Sequence, residues 1–146
     1  ARARQLQGTS GSGNSGGGST GGSSVSGNKI VGYAMGFVGC PYVSGGISPS
    51  GFDCSGFTQY VYAYAGKYLP HDAAAQSGYG TAVSKGNLQP GDLVFFATSG
   101  GGINHVGIYV GGGNFIAANT GHAYRVQVQP LFSGYWAARY VCARHI

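Results

Sequence analysis

Cys54 and His105 are the two residues in this 146-residue sequence whose types and settings could do covalent chemistry. A cysteine nucleophile needs a base, held in fixed relation to it, that takes its proton. Asp53 precedes Cys54, and Phe57, Val61, Tyr64 and Ala65 follow at helical spacing as far as Gly66. The pattern predicts a helix starting at or just before Cys54, with Asp53 as its N-cap. A cysteine in a first turn feels unpaired backbone N–H groups and the positive end of the helix dipole, so the thiolate is expected to be favoured. His105 opens a strand-like run after the flexible stretch 99–104.

The same residues admit a plainer reading. Cys54 would then be a buried helix cysteine and His105 an ordinary polar residue at a strand start. Asp53, Ser55 and Gly56 argue against a purely apolar setting for Cys54. Of the other histidines, His71 after Pro70 and His145 near the chain end read as surface residues, and His122 after Gly121 reads as a structural turn residue. Three cysteines are too few and too widely spaced for a disulfide framework, and they make no zinc pattern. Cys40 and Cys142 either bridge each other or serve as small buried hydrophobes. No cofactor or metal is expected.

The elements that must position this pair follow from periodicity and punctuation. Ile30, Val31, Ala34, Phe37 and Val38 give one apolar face to a short helix over 29–38, stopped by Gly39 and Pro41. Residues 41–52 are Gly- and Pro-rich and read as a loop; 69–79 reads as a loop with a short helical stretch. Pro90-Gly91 marks a turn. Short runs rich in Val, Ile, Phe and Tyr predict strands over 93–97, 105–110, 114–118, 124–128 and 137–143. Gly111, Gly112 and Gly113 make a tight hairpin connection between the second and third of these. Helices followed by about five antiparallel strands give an α+β domain.

Composition narrows the function classes. Residues 8–27 are almost entirely Gly, Ser, Thr and Asn, too poor in apolar surface to offset the entropy of ordering. Residues 1–27 are therefore expected to form a flexible tether, with the domain in 28–146. No apolar run reads as a signal peptide or a membrane span. A tether at the start suggests a module following a further N-terminal domain, or a mature secreted fragment. Eight basic residues against three acidic ones give a net charge of +5, and the basic residues are scattered. Nucleic-acid binders cluster theirs, so that class is set aside. A mild positive charge suits an anionic polymer such as a bacterial wall.

Four ordered blocks carry a family resemblance. They are Gly39-Cys40-Pro41-Tyr42-Val43-Ser44-Gly45-Gly46; Ser50-Gly51-Phe52-Asp53-Cys54-Ser55-Gly56-Phe57; Leu88-Gln89-Pro90-Gly91-Asp92-Leu93-Val94-Phe95-Phe96; and His105-Val106-Gly107-Ile108-Tyr109-Val110-Gly111. With Tyr135-Trp136 and Ala143-Arg144 near the end, the chain resembles the NlpC/P60 cysteine peptidases over nearly everything after residue 27. The resemblance implies a papain-like α+β domain hydrolysing amide bonds in bacterial peptidoglycan stem peptides or cross-links, in a secreted or cell-envelope setting. It implies Cys54 as nucleophile through a thioester acyl-enzyme, and His105 as base. The oxyanion would be held by the Cys54 backbone N–H and Tyr42. Peptidoglycan peptides would be the partners, with no membrane insertion and a monomeric state.

Two positions depart from the family's pattern. The third polar residue that orients the base, commonly histidine, corresponds to Ala117, which cannot hydrogen-bond through its side chain. Asn119 lies on the same strand face but two residues along, roughly 6.6 Å away. A backbone carbonyl or water could serve instead, or the chain could be a weakened or inactive wall-binding module. Ser44 stands where the family often has tryptophan, leaving a roomier cleft wall. A related papain-like activity on another amide, such as acyl transfer, is a third function class.

Overall fold

In the computed structural model, residues 26–120 and 124–146 are described. Residues 1–25 of the expected 1–27 tether, and His122, lie outside them, while Gly27 already belongs to the first helix.

The helical part comes first. Helix α1 (Gly27–Met35) buries Ile30 and Ala34, with Phe37 completing its apolar face just beyond. A two-stranded ribbon, β1 (Ile47–Ser48) paired with β2 (Gly51–Phe52), interrupts the stretch expected to be loop. Helix α2 (Cys54–Tyr64) follows, then the short α3 (Ala73–Gln76). The second part is an antiparallel sheet built from β3 (Thr81–Val83), β4 (Leu93–Phe96), β5 (His105–Gly111), β6 (Asn114–Asn119), β7 (Arg125–Pro130) and β8 (Tyr140–His145). Their order across the sheet is β3-β8-β4-β5-β6-β7. The fold is α+β, as expected, with six strands in the main sheet.

Alternation along the strands divides the core in two. Leu93, Phe95, Val106, Ile108, Ile116 and Ala118 face one way and pack with α1 and α2. Val94, Phe96, Tyr109, Phe115, Ala117 and Ala143 face the other way, with Leu131 and Trp136 over them. All four side chains of β4 are therefore fully buried, which explains its uninterrupted apolar run.

One reading is corrected here and one alternative is decided. Of the strand expected over 137–143, residues 140–143 do lie in β8, but 137–139 end helix α4 (Gly134–Arg139). Its small apolar residues fit either state, and six residues are too few for periodicity to decide. Of the two alternatives for Cys40 and Cys142, no bridge forms: both are free thiols packed against the helix-side core, though half-buried rather than fully buried as expected.

Candidate functional site

Asp53 builds the site's first wall. Its extended backbone (φ −95°, ψ −179°) and its side chain cap α2, the carboxylate accepting from Gly56 N at 2.6 Å. Such a cap contributes about 1 kcal/mol. The other carboxylate oxygen accepts from Gly45 N at 3.2 Å, tying the helix start to the 41–52 loop. The approach is close enough to demand glycine at position 56, where a Cβ would lie 2.0 Å from the Gly46 carbonyl oxygen. His71 was expected to be merely a surface residue. Although exposed, its Nε2 lies 2.8 and 2.9 Å from the two Asp53 oxygens, so it belongs to the same brace. His145 likewise pairs with a carboxylate, Asp92 Oδ1 at 2.7 Å, but away from this site.

Cys54 is thereby held in the first turn of α2. Its Sγ lies 3.8 Å from the carbonyl oxygen of Asn104, the residue before His105. The expected thiolate is not favoured. Burial pushes the thiol up to about 11, and Asp53 adds to the rise; the backbone N–H groups of Val106, Ser55 and Cys54 pull the other way without overcoming it. Desolvation outweighs the helix terminus because the sulfur is partly enclosed by the loop before His105. At rest Cys54 is a neutral thiol.

His105 begins β5 and is buried, and its desolvation drives its pKa down to about 4. It is a neutral imidazole across the physiological range, stacked on the Trp136 indole at 4.7 Å between centroids and 20° between planes. The register of β5 on β6 pairs Ile108 with Ile116 and Tyr109 with Phe115. Carried back along the strands, it sets His105 opposite Asn119 and Gly107 opposite Ala117. The second pairing has its own signature: a Cβ on Gly107 would lie 3.0 Å from the Ala117 Cβ. So the distance argument against Asn119 does not apply. It measured from Ala117, whereas Asn119 is the residue across from His105.

The side chains bear this out. His105 Nε2 and Asn119 Oδ1 are both buried and have no other hydrogen-bond partner among the described residues. Their interaction raises the His105 pKa against the larger effect of burial. The pair falls short of the hydrogen-bond geometry met elsewhere in the site, an arrangement that commonly tightens when substrate arrives. The Asn119 amide nitrogen donates to Gln129 Oε1 at 2.7 Å, and Trp136 Nε1 donates to the same oxygen at 2.9 Å. Neither Gln129 nor the stacking of Trp136 was foreseen from sequence. Alternation in β7 puts Gln127 and Gln129 on one face, but nothing local says what they meet.

Tyr42 completes the constellation. Its backbone N–H donates to Tyr124 O at 2.8 Å, fixing the loop against the start of β7. Its phenol is raised above its ordinary pKa by burial and by Cys54, Asp53 and Tyr124, so it stays a neutral O–H donor beside the thiol. Tyr42, Cys54, His105, Asn119, Gln129 and Trp136 all line one groove of about 840 Å³. Ser44 lies outside its lining. Among the described residues there is no cluster of metal-ligating side chains, and no helix is long and apolar enough to cross a membrane. A half-open groove with a neutral thiol, a neutral imidazole and a phenolic donor can perform acyl transfer from an amide.

Comparison with known proteins gives this constellation a family. A model described as the NlpC/P60 family matches residues 39–145. A gamma-DL-glutamyl hydrolase of Bacillus subtilis is 45% identical over 106 residues, covering 70% of this chain and 25% of that protein. A gamma-D-glutamyl-L-lysine dipeptidyl-peptidase of Bacillus cereus is 43% identical over 111 residues, covering 74% of this chain and 33% of its own length. The chain thus spans a quarter to a third of these relatives. Among solved structures, an NlpC/P60 family protein from Bacillus cereus superposes with a TM-score of 0.76 at 39% identity, over 83% of this chain and 40% of that one. The NlpC/p60 domain of the peptidoglycan hydrolase SagA superposes with a TM-score of 0.73 at 40% identity, over 84% of this chain and all of that one. With its blocks, its fold and its matched residues in agreement, the chain belongs to the NlpC/P60 family.

Proposed function

We propose that this domain is a cysteine endopeptidase that hydrolyses amide bonds in bacterial peptidoglycan stem peptides or cross-links. The observation that carries the reading is the shared groove, in which Cys54, His105 and Tyr42 meet and Asn119 stands across from the base. Relatives named for glutamyl–peptide hydrolysis support the substrate class.

With Nε2 turned to Asn119, His105 Nδ1 is the nitrogen left for the thiol. As Sγ bonds to the scissile carbonyl carbon, its proton passes to Nδ1 and the carbonyl electrons move to oxygen. The Cys54 backbone N–H and the Tyr42 hydroxyl donate to that oxyanion. Collapse breaks the C–N bond, and the imidazolium protonates the departing amine. Water then gives its proton to His105 and attacks the thioester; the C–S bond breaks, releasing the acid and restoring the thiol. Asn119 Oδ1 accepts from Nε2–H throughout and stabilises the transient imidazolium.

The reading of a weakened or inactive wall-binding module rested on Ala117. Asn119 opposite His105 supplies a substitute acceptor and favours an active enzyme. The proposed setting is secreted or in the cell envelope, with the domain acting as a monomer tethered to a further N-terminal domain. Digestion of purified peptidoglycan by the native chain and by Cys54→Ala, with products identified by mass, tests the proposal. New acid and amine ends should appear only with the native chain; equal products from both would refute it.

A further inference from the structure

The orienter of His105 is itself an amide, and an amide can be turned either way. Facing His105 with its oxygen, Asn119 accepts from Nε2–H and leaves Nδ1 free to take a proton. Facing it with its nitrogen, Asn119 would donate to Nε2, put the imidazole proton on Nδ1 and block the thiol. Something must choose between these orientations.

The choice can be traced along three side chains. Trp136 Nε1–H can only donate. It lies 2.9 Å from Gln129 Oε1, which fixes the Gln129 amide with its oxygen toward the indole. That same oxygen is 2.7 Å from the Asn119 side-chain amide, so Asn119 must present its nitrogen there. Its oxygen is then left for His105, and Asn119 Oδ1 and His105 Nε2 are both buried and make no other hydrogen bond. The indole that starts this relay also stacks on the His105 ring at 4.7 Å, with Phe96 and Phe115 edge-on to it at 4.9 and 5.5 Å. Its position is set by packing, independently of the hydrogen bonds it makes.

We propose that Gln129 is a positioning residue which, held by the Trp136 indole N–H, turns the Asn119 oxygen toward His105 and so sets the imidazole tautomer needed for proton transfer. Gln129 touches neither the thiol nor the base; it acts through Asn119. A direct step from indole to imidazole would present a donor to Nε2, the wrong polarity, and the amide oxygens between them reverse it. The relay rests on the proposed roles of Cys54 and His105, and it explains how the family's usual orienter can be absent at position 117 while the base keeps its direction.

The test is steady-state hydrolysis of purified peptidoglycan or a defined stem peptide by the full chain, with thermal unfolding measured alongside. Gln129→Met keeps length and removes the acceptor; kcat should fall on the order of tenfold with KM little changed. Gln129→Glu restores an acceptor toward both donors and should recover most of that loss, which a packing defect would not allow. In an Asn119→Ala background, Gln129→Met should cost nothing further, because its route to His105 is already cut. Should Gln129→Met unfold, Trp136→Phe keeps a stacked ring, deletes the indole N–H and should lower kcat in the same way. Unchanged kcat in these variants, or the same fold loss with and without Asn119, overturns the relay. Retained hydrolysis by Cys54→Ala would instead overturn the Cys54–His105 reading on which it rests.

Discussion

Burying His105 has a stability consequence that can be measured apart from catalysis. His105 titrates near 4 in the folded chain, against its usual 6.5. Because the folded value is the lower one, the unfolded chain binds the proton first as pH falls. Stability linked to this residue is intact above about 6.5, drains away between there and 4, and levels off below. The gap corresponds to roughly 3 kcal/mol, since each tenfold change in proton affinity is worth about 1.4 kcal/mol. A bare pH profile sums over every ionisable group of the chain, so it is not decisive by itself. Urea unfolding of the native chain and of His105→Gln, run side by side from about pH 7.5 to pH 3.5, subtracts their contributions. At a urea dependence of about 1.5 kcal/mol per molar, the native midpoint should lose about 2 M more than the variant's. Parallel midpoint curves would refute the claim that His105 is held neutral by burial. The acid limb of kcat/KM should fall near the same depressed value rather than near 6.5.

Three substitutions probe the rest of the site. Ala117→His, at a fully buried position facing Gly107, should not raise kcat and should cost about 1–3 kcal/mol by overpacking; a gain in activity would show that Asn119 does not serve. Tyr42→Phe should lower kcat by up to about 10²-fold with KM nearly kept, because a transition-state donor is lost while the ring remains; unchanged kcat removes Tyr42 from the oxyanion site. Gly56→Ala should destabilise despite a helix-propensity gain of up to about 1 kcal/mol, since the new Cβ would lie 2.0 Å from the Gly46 carbonyl oxygen; a raised melting temperature would contradict that contact.

What could be read from sequence divides along the line between local and cross-strand information. The start of α2 was legible because an N-cap, a following apolar periodicity and the nucleophile all sit within a few residues. The hairpin at Gly111–Gly113 was legible for the same reason. The partner of His105 was left open between Asn119, a backbone carbonyl and water, because register depends on the irregularity in pairing between Tyr109 and Gly111, which a count of residues does not reveal. Family spacing marked Ala117 as a missing orienter with Asn119 as one substitute, and the strand register carried back from Ile108 and Ile116 sets Asn119 opposite His105. The protonation state of Cys54 was misjudged because helix position is a property of sequence and enclosure by the loop before His105 is not. Helix α4 was taken for strand, which hid the fact that Trp136 is carried over His105 and Gln129 by a short helix. The three-residue edge strand β3 is too short and exposed to leave a pattern.

The central claim is that one thiol does the chemistry. A defined stem peptide incubated with the native chain, with Cys54→Ala and with His105→Ala, and followed by mass spectrometry, tests it most directly. The account predicts one new acid and one new amine from the native chain, loss of both with Cys54→Ala, and a steep drop with His105→Ala. Cleavage by Cys54→Ala at the native rate would contradict it.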